Sequence, residues 1–217
     1  MPLSSYSLPV SRLLQYGDCY TPKAWPNYPE EIGLSKEDVP ELIRMATDYT
    51  LIEANDKSLE VWAPVHAWRS LGQLKAPEAV EPLMKLLEDS PDYAFAENEI
   101  PIVIGQIGYP GLEFIFGEKL LDLSNNEDFR CLVVECIANI AYEHPQTKQT
   151  CVELLLKYLE SYETNDSYFN GYLIVALNKL EVQKAAPLVE ETFLSGNVEP
   201  YVVQWNEIQD TFGLTLD

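Results

Sequence analysis

The tightest constraint in the chain is a two-residue connection between two amphipathic helices. From Trp62 to Glu88 the sequence reads WAPVHAWRSLGQLKAPEAVEPLMKLLE. In the first half Pro64, Ala67, Trp68, Leu71 and Leu74 recur at helical spacing and form one apolar face. Trp62, His66, Arg69 and Gln73 fall opposite, where the pattern predicts a solvated polar-aromatic stripe. In the second half Val80, Leu83, Met84 and Leu87 repeat the i, i+3, i+4, i+7 pattern, and Glu81 precedes Lys85 by one turn on the wet side. Pro77 suits a first helical turn, where its missing N–H costs little. Only Lys75-Ala76 joins the halves, so the helices must run antiparallel. Such a hairpin cannot bury both apolar faces alone and needs stacked neighbours.

The neighbours are visible as a repeat. Leu71, Ile107, Ile140 and Leu180 each end the apolar stripe of a first helix, at separations of 36, 33 and 40 residues. Ala67, Val103, Cys136 and Ala176 stand four residues earlier with the same spacing, which suits two-helix solenoid repeats. In order, the chain predicts a helix after a Ser35–Asp38 capping box with Val39, Leu42, Ile43 and Ala46 inward, then a short one near Tyr49 to Asn55. Past the reference hairpin, Ser90-Pro91-Asp92 turns the chain into a helix over 97–107. After the Gly108-to-Gly111 turn comes an almost wholly apolar helix over 112–123, read as buried on both sides. Ser124 with Glu127 signals the next start. Helices follow over 126–143, 145–162, 168–180, 182–194 and 201–212.

Residues 1–34 are different material. Pro2, Pro9, Pro22, Pro26 and Pro29 exclude a long helix, while Tyr6, Tyr16, Tyr20, Trp25 and Tyr28 argue against a loose tail. The expected organisation is an irregular Pro/Tyr-rich capping segment over 1–34, with docking of a partner as its other possible use, and a helical repeat domain over 35–217.

The segment Ala67 to Asp89 resembles the short HEAT-like repeats of bacterial proteins, of the phycobilisome-lyase type. Ala67, Leu71, Gly72, Leu74, Pro77, Glu78, Ala79, Val80, Pro82, Leu83 and Leu87 carry the resemblance. It implies an all-α fold, an α-α superhelix of about five helix pairs. It also implies that second helices line a concave face. Those helices would present Glu81, Lys85 and Glu88, then Glu118, then Glu153, Lys157 and Glu160, then Glu190 and Glu191. It fixes no activity, because the repeat serves lyases, chaperones and scaffolds alike.

Charge narrows the function. Lys and Arg number 14 against 35 Asp and Glu, a net −21, which opposes direct contact with nucleic acid phosphates and with anionic membrane surfaces. No stretch reaches the length of a membrane span and no secretory leader is recognisable, so the expected location is the cytoplasm. Cys19, Cys131, Cys136 and Cys151 form no CxxC pair, and His66 and His144 lack metal-ligand spacing, so neither a metal nor a cofactor is expected. Cys136 sits on an apolar stripe and reads as core packing, not as a nucleophile beside His144. The adjacent acids Glu97 with Glu99, Glu127 with Asp128 and Glu190 with Glu191 read as solvated helix ends. The leading expectation is a non-enzymatic interaction module that takes a protein partner, preferably basic, on the acidic concave face. A bilin-lyase-like auxiliary enzyme and an acidic nucleic-acid mimic are the alternatives.

Overall fold

The computed structural model describes residues 6–21, 24–89 and 93–213. Pro2, Pro22 and the expected Ser90-Pro91-Asp92 turn lie outside them. The helices are α1 (Tyr28–Ile32), α2 (Val39–Ala46), α3 (Tyr49–Ile52), α4 (Ala63–Gln73), α5 (Val80–Asp89), α6 (Ala94–Ile107), α7 (Tyr109–Gly117), α8 (Glu127–Glu143), α9 (Lys148–Leu159), α10 (Ser167–Lys179), α11 (Ala186–Leu194) and α12 (Trp205–Phe212). No strand occurs among the described residues, so the chain is all-α, as its periodicity predicts. Contacts divide it into two compact units, Met1–Phe114 and Ile115–Asp217.

In the first unit α4 is the central element. It packs against α2 and α6, and residues 10–15 and 28–32 cover it from the N-terminal side. Trp68 is fully buried there and its indole N–H donates to the Ala46 carbonyl at 2.8 Å, so its one polar atom is satisfied. Gly72 lets α6 come close. A Cβ at that position would stand 3.4 Å from the Val103 Cα and inside the contact distance of the Gln106 side chain. In the second unit α8, α9 and α10 pack on one another, with α12 against α10. The repeating pairs Ala67–Leu71, Val103–Ile107, Cys136–Ile140 and Ala176–Leu180 are all buried.

A buried amide cluster joins three turns of the second unit. Asn170 Nδ2 donates to the carbonyls of Tyr162 and Asn197, both at 2.9 Å. Asn165 Nδ2 donates to the Tyr158 carbonyl at 2.8 Å, and Asn197 Nδ2 to that of Tyr162 at 2.6 Å. These side chains satisfy carbonyls left over where α9 ends.

Local signals hold unevenly. Ser35 and Asp38 form the expected capping box: Asp38 accepts from the Ser35 N–H at 2.8 Å and Ser35 Oγ accepts from the Glu37 N–H at 3.3 Å. The cap of α8, however, is Asn126, which accepts from the Phe129 N–H at 3.2 Å, and not Ser124. The helix expected over 112–123 is also displaced. It starts at Tyr109, because Pro110 fits a first turn, and it stops at Gly117. Residues 118–125 are turns and bends; Phe116 on α7 is 46% exposed and Leu123 in the turns 69%, instead of buried on both sides.

Three helices, α4, α7 and α10, end in the same way. Lys75, Lys119 and Glu181 take left-handed φ values of 51°, 53° and 53°. The following N–H reaches back five residues each time: Ala76 to Leu71 at 3.1 Å, Leu120 to Ile115 at 3.2 Å, Val182 to Leu177 at 3.1 Å. This is a Schellman closure with a long polar side chain where glycine is usual. A left-handed L-residue costs roughly 1–2 kcal/mol, and a glycine gives back about 0.5–1 through chain entropy. Lys75→Gly and Glu181→Gly should therefore each raise the unfolding free energy by about 0.5–1 kcal/mol, read from urea midpoints at constant slope.

Candidate functional site

α5 carries a concave surface in the first unit. Its pattern puts Val80, Leu83, Met84 and Leu87 inward and leaves Glu81, Lys85, Glu88 and Asp89 exposed. Between this exposed side and the end of α2 with the start of α3 lies a cleft of about 400 Å³. Pro82 and Leu86 form part of its lining, Tyr49 and Thr47 face them from α3 and the α2–α3 turn, and Glu81, Lys85 and Asp89 complete it. Asp48 fixes the approach of Tyr49 by capping α3, accepting from the Thr50 N–H at 2.9 Å. Tyr49 stays 47% exposed, so an aromatic face is open beside the carboxylates.

The residues expected on the second helices separate on inspection. Glu81 and Lys85 meet in the cleft, and Glu88 is exposed on the same helix outside its lining. Glu118 follows α7 on a turn. Glu153 and Lys157 are exposed on α9 and Glu160 is its C-cap; Glu153 accepts from Gln149 Nε2 at 3.0 Å. Glu190 is half-buried and Glu191 exposed on α11. Sequence spacing did not indicate Tyr49, Pro82 and Asp89, because they join the site only when α3 and α5 are brought together.

The stripe Trp62, His66, Arg69 and Gln73 is not a solvated surface. His66 is fully buried and Arg69 is 3% exposed. The N-terminal segment lies over them and α4 binds its main chain. His66 Nε2 donates to the Gly17 carbonyl at 2.8 Å, which leaves Nδ1 to accept from the Tyr28 hydroxyl at 2.6 Å. Arg69 Nη1 donates to the Cys19 carbonyl at 2.9 Å, and its Nε and Nη2 meet Glu99 at 2.9 and 2.5 Å. Gln73 Nε2 donates to the Pro26 carbonyl at 2.7 Å, while its Oε1 accepts from the Tyr28 N–H at 3.0 Å. Trp25 stacks on Arg69, 4.8 Å from the guanidinium carbon to the ring centre. Glu99, expected to be solvated beside Glu97, is instead 6% exposed and paired with Arg69. A buried ion pair is tolerated when further hydrogen bonds support it, and here the Cys19 carbonyl supplies one.

Cys131, Cys136 and Cys151 are buried, as is Cys19 in the first unit; burial raises all four thiols above their ordinary range, Cys19 to about 11. Glu127 does not act with Asp128 alone. It hydrogen-bonds Asp166, the N-cap of α10, whose Oδ2 lies 3.8 Å from Arg130 Nη1. No group of His, Cys, Asp and Glu suited to a metal occurs among the described residues. No single helix among them is long and apolar enough to cross a membrane; α6 and α7 together have the length and apolar content but bend by 109°.

Two titrations follow from these contacts. Burial first, and then the Arg69 charge, lower the pKa of His66, so the native ring stays neutral while the unfolded one protonates near 6.5. Stability is then full above that pH and falls as the pH drops below it. In a Glu127→Gln background, which removes an opposing titration, the unfolding midpoint should decline between pH 7.5 and 5.5. His66→Gln should flatten that decline and cost about 1–3 kcal/mol at pH 7.5 by stranding the Tyr28 hydroxyl or the Gly17 carbonyl. Glu127 behaves in the opposite sense. Its bond to Asp166, then partial burial, push its carboxyl up to about 7. The stabilisation it gives is full below the ordinary carboxyl range and is lost as the pH rises through about 7. A carboxyl carbon titration should place that midpoint near neutrality, and Glu127→Gln should remove both the midpoint and the associated loss of stability.

Residues 67–89, which comprise most of α4 and all of α5, match the family model of the PBS lyase HEAT-like repeat. The match therefore falls on the central helix of the first unit and on the helix that carries the cleft. No curated protein and no solved structure matches the chain.

Proposed function

We propose that this helical-repeat protein is a binding module that takes a cationic, partly apolar segment of a protein partner along α5. The observation that supports this reading is the composition of the cleft. Pro82, Leu86 and the open ring of Tyr49 offer apolar area, and Glu81 and Asp89 stand at its two ends, eight residues or about 12 Å apart along the helix. A lysine or arginine side chain has the same division, an aliphatic stem and a charged head. The stem packs on Pro82 and Leu86, the head crosses the Tyr49 face or reaches a carboxylate. Lys85 sits midway and repels a cation there, so the preferred segment carries its positive charges at the ends of the contact. Exposed ion pairs contribute about 0–1 kcal/mol each. The apolar area therefore supplies most of the affinity and the carboxylates select the sign. The net charge of −21 acts at longer range, drawing cationic surfaces in and speeding encounter at low salt.

Fluorescence anisotropy with synthetic peptides tests the reading. Peptides with an apolar centre and basic ends should bind, and their charge-inverted counterparts should not. Tyr49→Ala, and Glu81→Lys with Asp89→Lys, should each weaken binding at least tenfold. Reversal of Glu153 and Glu160 on α9 should leave it unchanged. Equal binding of the inverted peptides, or an equal loss from the α9 reversals, would overturn the assignment.

A further inference from the structure

Lys119 and Lys157 converge on a second concavity, of about 240 Å³, that lies wholly within the second unit and is lined also by Phe116, Leu154, Asp122 and Tyr158. The convergence runs against the composition of this part of the chain. Residues 115–217 hold six Lys and Arg against 17 Asp and Glu, so carboxylates to pair with are plentiful. Yet the ion pairs among the described residues use Arg44, Arg69 and Arg130, and neither of these lysines. Two ammonium groups that share a concavity with a single carboxylate, Asp122, leave a net positive charge there, and a bound anion offsets it.

The support is also rigid. Lys119 occupies the left-handed position that closes α7, with φ 53°. Its carbonyl accepts from the Asp122 N–H at 2.9 Å and from Asn125 Nδ2 at 3.2 Å. Arg130 Nε donates to the next-but-one carbonyl, Leu121, at 3.1 Å. The Tyr158 hydroxyl donates to Asp122 at 3.1 Å, which engages the one carboxylate on the lining. Lys157 comes from the last turn of α9, an element anchored by the burial of Leu154, Leu155 and Leu159. The two charges are thus carried on backbone whose position is set before any ligand arrives.

We propose that this concavity binds a small organic monocarboxylate, with the carboxylate between Lys119 and Lys157 and the apolar body against Phe116 and Leu154. The half-exposed ring of Phe116 favours an anion with a hydrocarbon portion over a bare ion. The surrounding negative charge opposes each further anionic charge on the ligand, which favours a monocarboxylate over a phosphate carrying about −1.5 to −2. The volume lies below that of drug-sized sites, roughly 300–1,000 Å³, and suits a single ring or a short chain.

Benzoate is the probe, titrated into the full chain and followed by NMR of the lysine side chains. The expected result is a saturable shift of Lys119 and Lys157 with a Kd on the order of 1 mM. Lys119→Gln and Lys157→Gln should each raise that Kd at least fivefold with helicity unchanged, whereas Lys148→Gln, a substitution elsewhere on α9, should not. The absence of saturation overturns the site. Equal binding of neutral benzamide, or an equal loss from Lys148→Gln, overturns the role of the lysine pair. Tighter binding of inorganic phosphate overturns the choice of a carboxylate. None of these outcomes bears on the α5 cleft, which is in the other unit and of opposite charge.

Discussion

The first unit depends on satisfying the polar side of α4. A helix with His66, Arg69 and Gln73 on one face cannot be buried all round unless each of those groups finds a partner. Arg69 closes on Glu99 of α6, and the backbone of residues 17–28 supplies the remaining acceptors through Gly17, Cys19 and Pro26. The apolar side is then free to pack on α2 and α6. Removing Glu99 or Arg69 alone would leave a buried charge uncompensated, a loss of about 3–5 kcal/mol in comparable pairs. The irregular N-terminal segment is therefore part of the core of its unit. Between the short helical turns at 10–15 and α1, the carbonyls of Gly17, Cys19 and Pro26 are used by α4 and not by a helix of the segment's own.

The second unit solves its equivalent problem with amides and caps. Asn165, Asn170 and Asn197 take up carbonyls near the end of α9, and Asn126 and Asp166 cap α8 and α10. Arg130 is buried like Arg69, but it is held differently, over the ring of Phe169 at 3.8 Å and against the Leu121 carbonyl. The two concave surfaces follow from this division of labour. The α5 cleft forms where a helix with an exposed Glu–Lys–Asp row faces the open side of Tyr49. The lysine pocket forms where a pinned turn meets the last turn of α9.

Much of the architecture was legible because it is periodic. The spacing of Leu71, Ile107, Ile140 and Leu180 predicts four buried helix ends, and all four are buried. The hairpin at 67–89 and the Ser35–Asp38 capping box are equally local, fixed by residues within a turn or two of each other. The boundary of α7 was misplaced because Pro110 reads equally as a turn residue and as a first-turn residue, and context selected the second. The left-handed closures at Lys75, Lys119 and Glu181 gave no signal, since none uses glycine.

By itself the sequence determined that the chain is helical, that its helices come in pairs, and that its surface is acidic. These properties depend on period and composition, which are additive along the chain. Only the tertiary structure decided which polar residues face solvent. Glu81 and Lys85 are exposed and His66 and Arg69 are buried, although both sets sit opposite an apolar stripe on neighbouring helices. The difference lies in what covers them. A segment about fifty residues earlier, Gly17 to Tyr28, supplies the partners for His66 and Arg69, and helical periodicity carries no information about a partner that distant.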